Sequence, residues 1–250
     1  MESKKISTDS SVFIFNELET YKTNVFLIER KAKVFLIDTF CGTDSMNLIK
    51  GILSKKLNKE IIIVNTHFHW DHVWGNCAFK NNLIISHKLC RKFLDKYWKQ
   101  QLKQNKKYIL GNVEKVLPNF TFKEGIKFEN EEIEIFYSPG HTLDSISIFD
   151  HHNGILYAGD NLEKPIIYVE NKDIEIYIET LEKYLKLKPK KIMAGHTIYL
   201  NEEDIFKTIK YLEDLRNGSH IQFESEYMTK VHKENYNLIN EKTNYKKFNI

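Results

Sequence analysis

Four side chains able to bind a metal ion fall within the six residues His67-Phe68-His69-Trp70-Asp71-His72. The chain holds only 10 histidines in 250 residues, so this clustering is far above chance. Neutral imidazole and carboxylate suit Zn²⁺, Fe²⁺ and Mn²⁺ alike, and donor type alone does not choose among them. No thiolate joins them, which is compatible with a catalytic centre rather than a purely structural one. The cluster directly follows Ile61–Asn65, a short apolar run of the kind expected for a strand covered on both faces. Solvated loop histidines are a poor reading there, because imidazole and carboxylate at the end of an apolar strand lose hydration without compensation. In an extended segment residues 67, 69 and 71 project to one side. A loop then turns His72 toward a second centre.

Three later residues occupy similar places at strand ends. They are His141 in Ser-Pro-Gly-His-Thr, Asp160 in Tyr-Ala-Gly-Asp-Asn and His196 in Met-Ala-Gly-His-Thr. Each follows a glycine, which lets the backbone turn sharply or approach a neighbour closely. One such junction means little; three repeat a design.

The elements that must position these groups follow from periodicity. Val12–Phe15, Val25–Glu29 and Lys33–Asp38 read as strands, and Asp44–Leu57 has helical spacing at Met46, Ile49, Ile52, Leu53 and Leu57. Leu83–Ser86 is a strand, and His87 to Lys107 is a helix carrying Lys88, Arg91, Lys92, Lys96, Lys99, Lys103, Lys106 and Lys107. That cationic run reads first as a solvated helix face and second as a rim for an anionic substrate. Pro118–Tyr137 holds two or three strands. Ser145–Phe149 and Gly154–Ala158 form a hairpin in which Asn153-Gly154 supplies positive φ angles. Ile174–Leu187 and Glu202–Leu215 are helices flanking the strand Lys191–Ala194, and the polar tail from about His220 to Ile250 has no assigned structure. Two facing sheets with helices outside satisfy this order.

Bulk properties set the outer limits. Hydrophobic residues make up 42% of the chain, ordinary for a globular protein, and the net charge of +3 gives no strong attraction to nucleic acid. No apolar run approaches the roughly 20 residues that span a bilayer, and Met1–Ser11 lacks an apolar signal core, so a cytoplasmic location is the expectation. Cys41, Cys77 and Cys90 are widely spaced and read as buried small apolar side chains. One domain over 1–250 is expected, with 220–250 as an extension.

The motifs Thr66-His67-x-His69-x-Asp71-His72, Pro139-Gly140-His141-Thr142, Gly159-Asp160 and Gly195-His196, in that order, resemble the metallo-β-lactamase superfamily. Ile37-Asp38-Thr39 resembles the family's early strand ending in Asp. The resemblance implies an α/β fold, an αβ/βα four-layer sandwich of two mixed sheets flanked by helices, with the metal site at one edge. It also implies that His67, His69 and His141 hold one ion, Asp71, His72 and His196 a second, and that Asp160 bridges them. Asp160 points toward glyoxalase II, lactonase and ribonuclease Z relatives rather than true β-lactamases, and His69 disfavours the flavodiiron branch. Trp74 stands where many relatives have glycine, and no cationic glutathione-recognition pattern is found near the C-terminus.

The implied activity is hydrolysis of an ester, thioester, lactone, amide or phosphoester in a small-molecule substrate. A hydroxide held between two Zn²⁺ would be the nucleophile, with Fe or Mn as alternative metals and Asp71 as the catalytic residue that orients or deprotonates it. Alternatives are a mononuclear iron oxidoreductase of the persulfide dioxygenase type and a ribonuclease Z-like nuclease. Asn161, Lys164 and Tyr199 are candidates for substrate contact, and Trp70 and Trp74 for an apolar wall or core packing. His87 is expected as a helix cap, and His151 and His152 as solvated turn residues. No motif speaks to oligomeric state.

Overall fold

The computed structural model describes residues 1–19, 21–219 and 221–240. A polar strand β1 (Glu2–Lys5) and the β-branched and aromatic runs β2 (Ser10–Phe15), β3 (Thr23–Glu29) and β4 (Lys33–Ile37) pair as antiparallel neighbours. Helix α1 (Asn47–Leu53) crosses to β5 (Glu60–Val64), and a single turn α2 (Trp70–Val73) follows. Strand β6 (Leu83–His87), helix α3 (Lys88–Gln104) and β7 (Phe120–Phe122) complete this half. β4 to β7 run parallel, giving a mixed sheet in sequence order.

The second sheet contains β8 (Gly125–Phe128), β9 (Ile133–Tyr137), β10 (Ile146–Asp150), β11 (Ile155–Tyr157) and β12 (Lys191–Met193), ordered β12-β11-β10-β9-β8. Only the β11–β12 pair is parallel. Helices α4 (Ile174–Leu187), α5 (Glu202–Arg216) and α6 (Glu226–Asn240) belong to this half.

Side-chain alternation builds the layers. In β4, Phe35 and Ile37 join Ile135, Ile148 and Tyr157 between the sheets. Val34 and Leu36 of the same strand turn outward and pack with Met46, Ile49 and Leu53. On the far side Leu156 and Ile192 meet Tyr177, Leu181, Tyr184, Ile205 and Leu212 of α4 and α5. The result is the helix–sheet–sheet–helix sandwich expected, with both sheets mixed.

The strand ends differ in purpose. At one end Arg30 ties Asp9, the fully buried Asp150 and the Glu131 carbonyl together, joining the two sheets. Unpaired, the buried Asp150 carboxylate would cost several kcal/mol, on the order of 3–5. The opposite end is left for chemistry.

Several elements depart from the sequence reading. The helix expected to reach Leu57 ends at Leu53, and Leu57 is exposed. Lys56 and Lys59 instead draw the chain down onto Glu29, each 2.7 Å from its carboxylate. Pro118–Tyr137 holds three strands, but β7 closes the first sheet while β8 and β9 begin the second. In the turn after β10 only Gly154 has positive φ, because the loop is four residues long rather than a two-residue Asn-Gly turn. The polar Glu2–Lys5 is an edge strand, its lysines and exposed faces suited to a sheet margin. Residues 226–240 of the unassigned tail form α6; His220 and 241–250 lie outside the described residues. Among the described residues, no helix is long and apolar enough to cross a membrane.

Candidate metal centre

β5 delivers Asn65, Thr66 and His67 in sequence to the edge of the sandwich. Asp38, just past β4, holds this point: its Oδ1 accepts from Thr66 N and its Oδ2 from Thr66 Oγ1, both at 2.8 Å. The same Oδ2 accepts from His72 Nδ1 at 2.8 Å. One buried carboxylate thus fixes both ends of the histidine loop.

The chain bends over residues 66–68, is extended at His69 and then makes the single turn α2. This turn corrects the expectation that residues 67, 69 and 71 share a side. Asp71 swings away with His72 toward His196, while His67 and His69 remain with His141. Helix α3 braces the loop from behind. Its buried Gln101 accepts from Trp70 N at 2.8 Å and donates to Phe68 O at 3.2 Å. Phe68, Val73 and Trp74 pack on Cys90, Phe93, Leu94, Tyr97 and Trp98.

The ligand-type atoms form two groups. His67, His69, His141 and Asp160 present donor atoms within 4.8 Å of one another, as do Asp71, His72 and His196. His67 Nε2 and His141 Nε2 lie 3.0 and 3.2 Å from His69 Nδ1. Asp160 Oδ2 lies between the groups, 3.6 Å from His67 Nε2, 3.3 Å from His72 Nε2 and 3.0 Å from His196 Nε2. Asp71 Oδ2 is 3.7 Å from the Nε2 atoms of His72 and His196.

Each imidazole is held by its outward nitrogen. His69 Nε2 faces Glu170 at 3.0 Å, His141 Nδ1 donates to Tyr168 O at 2.8 Å, and His196 Nδ1 donates to Lys22 O at 2.7 Å. His67 Nδ1 meets Thr66 Oγ1 at 3.1 Å. Asp38 takes the fifth ring, His72. The inward nitrogens are therefore the ones turned toward one another around the centre, the arrangement by which outer partners orient metal-binding histidines. His72 Nε2 and Asp160 Oδ1 are buried with no hydrogen-bond partner among the described residues. Buried polar atoms rarely stay orphaned, and a divalent ion between the groups would satisfy both, so the residues fit the metal that the donor set implies.

Electrostatics agree. Burial, helped by the neighbouring His72, pushes His67 well below the usual histidine range, and burial with His69 lowers His141. Neutral imidazoles keep a lone pair to donate. Burial acts against charge on His72 and His196, but the carboxylates together outweigh it: Asp160, Asp71 and Asp38 raise His72 well above its usual range, and Asp160, Glu163 and Asp71 raise His196 to about 9. Asp160 resists burial in turn, held well below the carboxylate range by His196, His72 and His67. Protons thus occupy part of a site where a cation would replace them.

Two glycines allow the approach. A Cβ on Gly195 would sit 2.0 Å from Asp160 Oδ1. Gly159 has φ +56°, turning the chain so that Asp160 faces inward.

A cleft of about 500 Å³ opens over the centre. Trp70 forms part of its wall and stacks on Tyr108 at 5.1 Å, while Trp74 is fully buried under the loop. Asn161 does not reach the cleft. It is buried, and its amide accepts from His141 N at 2.8 Å and donates to Ser138 O at 2.7 Å, setting the His141 backbone. Lys164 pairs with Asp204 outside the cleft, and Tyr199 is exposed elsewhere. His87 caps α3 by accepting from Leu89 N, and His151 and His152 pair with Glu134 and Glu132 on the surface. The cations of α3 face solvent around its buried stripe, and all three cysteines are buried and free. Glu170, Gln101, Tyr21 and Glu163 were not legible in sequence. The last three lack any motif, and Glu170 lies in irregular chain between Asp160 and α4.

The family model of the metallo-β-lactamase superfamily matches residues 19–196. A probable metallo-hydrolase of Methanocaldococcus jannaschii is 28% identical over 64% of this chain and 70% of its own length. A β-lactamase-like protein 2 homolog of Drosophila melanogaster is 27% identical over 78% of this chain, which spans only 64% of that longer protein. The human acyl-coenzyme A thioesterase MBLAC2 is 24% identical over 74% and 77%. Among solved structures, a metallo-β-lactamase from Pontibacter korlensis superposes with a TM-score of 0.67 at 17% identity, covering 85% of this chain and 99% of that one, which supports the fold. With the motif residues gathered at one edge of a four-layer sandwich, and the family model covering most of the sequence, this chain belongs to the metallo-β-lactamase superfamily.

Proposed function

We propose that the chain is a binuclear metal-dependent hydrolase. His67, His69 and His141 hold one ion, Asp71, His72 and His196 the other, and Asp160 is shared. The observation that carries this reading is the set of five imidazoles, each fixed by its outward nitrogen and aimed inward around Asp160. Bound zinc would supply Lewis acidity, ionising water near neutral pH and polarising the attacked oxygen.

The chain's own groups then divide the work. Asp71 faces the centre from the turn α2 and orients or accepts a proton from the nucleophile. Burial, with Asp71 and Asp160 nearby, pushes the Tyr21 phenol far up, so it stays a hydrogen-bond donor in the cleft. Glu163 also lines the cleft and, in the metal-free chain, is raised to about 7, chiefly by burial. Trp70 and Tyr108 give the substrate an apolar face.

A carbonyl substrate fits better than a phosphodiester. Glu163, Glu170 and Glu234 line the cleft, and Lys230 is the single lysine or arginine among its lining residues. The lysines of α3, which would have favoured a nuclease, do not line the cleft. Similarity to an acyl-coenzyme A thioesterase makes an acyl thioester the first compound to test. Zinc-loaded protein assayed on thioester, lactone, β-lactam and phosphodiester substrates should hydrolyse an acyl compound and lose this with His69→Ala or Asp71→Ala. Activity that survives either change overturns the mechanism. Protein purified without added metal and carrying one iron per chain would instead favour an oxidoreductase.

A further inference from the structure

We propose that Asn235 of α6 is a positioning residue for the His69/His141 side of the centre, acting through the strip 167–170. α6 lies beyond the segment that the family model covers. Its Asn235 is 1% exposed. The side chain donates to Ile167 O at 2.8 Å and to Tyr211 Oη at 3.0 Å, and accepts from Val169 N at 3.0 Å.

The intervening residues face the other way. Tyr168 O accepts from His141 Nδ1 at 2.8 Å. Glu170 N donates to His141 O at 3.0 Å, and Glu170 Oε2 lies 3.0 Å from His69 Nε2. Residues 167 and 169 are thus held by α6, while 168 and 170 hold two histidines. This is the two-residue alternation of extended chain, yet the strip belongs to no strand of either sheet. Without a sheet ladder, its backbone hydrogen bonds run to Asn235 at one side and to His141 at the other, alongside the core packing of Ile167 and Val169. The second group is anchored elsewhere: His72 on Asp38 and His196 on Lys22 O.

The coupling is therefore selective for one ion, and it rests on the two-group reading of the centre. Outer partners of metal-binding histidines typically change metal affinity about 10–100-fold. Asn235 acts one step further out, so the lower end, about 10-fold, is expected.

The test measures zinc affinity by competition with a chromophoric chelator in two backgrounds. His196→Ala leaves the first group intact, and His69→Ala leaves the second. Asn235→Ala should weaken zinc about 10-fold in the His196→Ala background and less than about 2-fold in the His69→Ala background. Glu170→Ala, which cuts the strip at its other end, should show the same selectivity and covers the case in which Asn235→Ala does not fold. Equal weakening in both backgrounds marks a merely structural role and overturns the proposal, as does no weakening in the first. If neither background binds a single zinc, the two-group reading falls first, and the coupling with it.

Discussion

Gly195→Ala isolates the close packing of the Asp160 carboxylate, proposed to be shared between two ions. Gly195 does not have a positive φ, so its backbone accepts a side chain. The added methyl would lie 2.0 Å from Asp160 Oδ1 and 2.8 Å from His72 Cε1. Real Cβ contacts essentially never fall under 3.0 Å, so the carboxylate must retreat by about 1 Å. Metal–ligand distances tolerate only about 0.2 Å, and misplacement by about 1 Å can cost roughly 100-fold in rate. Overpacking itself costs typically 1–3 kcal/mol of stability, which leaves most of a marginally stable fold intact. Metal content by elemental analysis, kcat/KM on the best substrate of the panel, and unfolding of the metal-free protein separate these effects. The expected result is a folded protein with less than two metals and at least about 100-fold lower kcat/KM. Wild-type metal content and rate in Gly195→Ala would refute the claim that Asp160 bridges from that position.

The two tryptophans should behave oppositely: Trp74→Ala should cost roughly 3–5 kcal/mol in denaturant unfolding, and Trp74→Phe less, since Trp74 Nε1 has no hydrogen-bond partner among the described residues. Trp70→Ala, at a half-buried position packed on Tyr108 and Trp74, should cost less stability than Trp74→Ala while raising KM. His87, held at about 4 mainly by burial, stays neutral while the unfolded chain protonates near 6.5. Its contribution is present above pH 6.5 and is lost as pH falls toward 4, about 1–3 kcal/mol, and His87→Asn should remove that part of the pH slope in unfolding measurements. Lys92→Glu with Lys99→Glu reverses charge on the solvent face of α3. Acyl hydrolysis should stay within about twofold at low salt, and a steep salt-dependent loss would return weight to a nucleic-acid substrate.

What was legible in sequence was what depends on local order. The strand Ile61–Val64 running into His67 and His69 could be read because strand, turn and donors are contiguous. Gly159-Asp160 and Gly195-His196 were readable as junctions, but not the close approach of Gly195 to Asp160, which joins residues 35 positions apart across two strands. The crossover that sends Phe120–Phe122 to one sheet and Gly125–Phe128 to the other leaves no periodic trace. Asp38 showed as a strand-end acid, but its three hydrogen bonds to Thr66 and His72 are tertiary. Glu170 and Asn235 lacked any signal, because their roles come from irregular chain and from a helix in a polar tail. Of the cleft walls, Trp70 was readable from its place in the histidine cluster, whereas Tyr21, Glu163 and the α6 residues had no local signal.

Metal titration of the metal-free chain, followed by hydrolysis of an acyl substrate, tests the central claim most directly. Two zinc equivalents per chain should bind, with hydrolysis dependent on metal and lost on chelation. A chain that binds one iron and consumes oxygen, or that hydrolyses at full rate without metal, would contradict it.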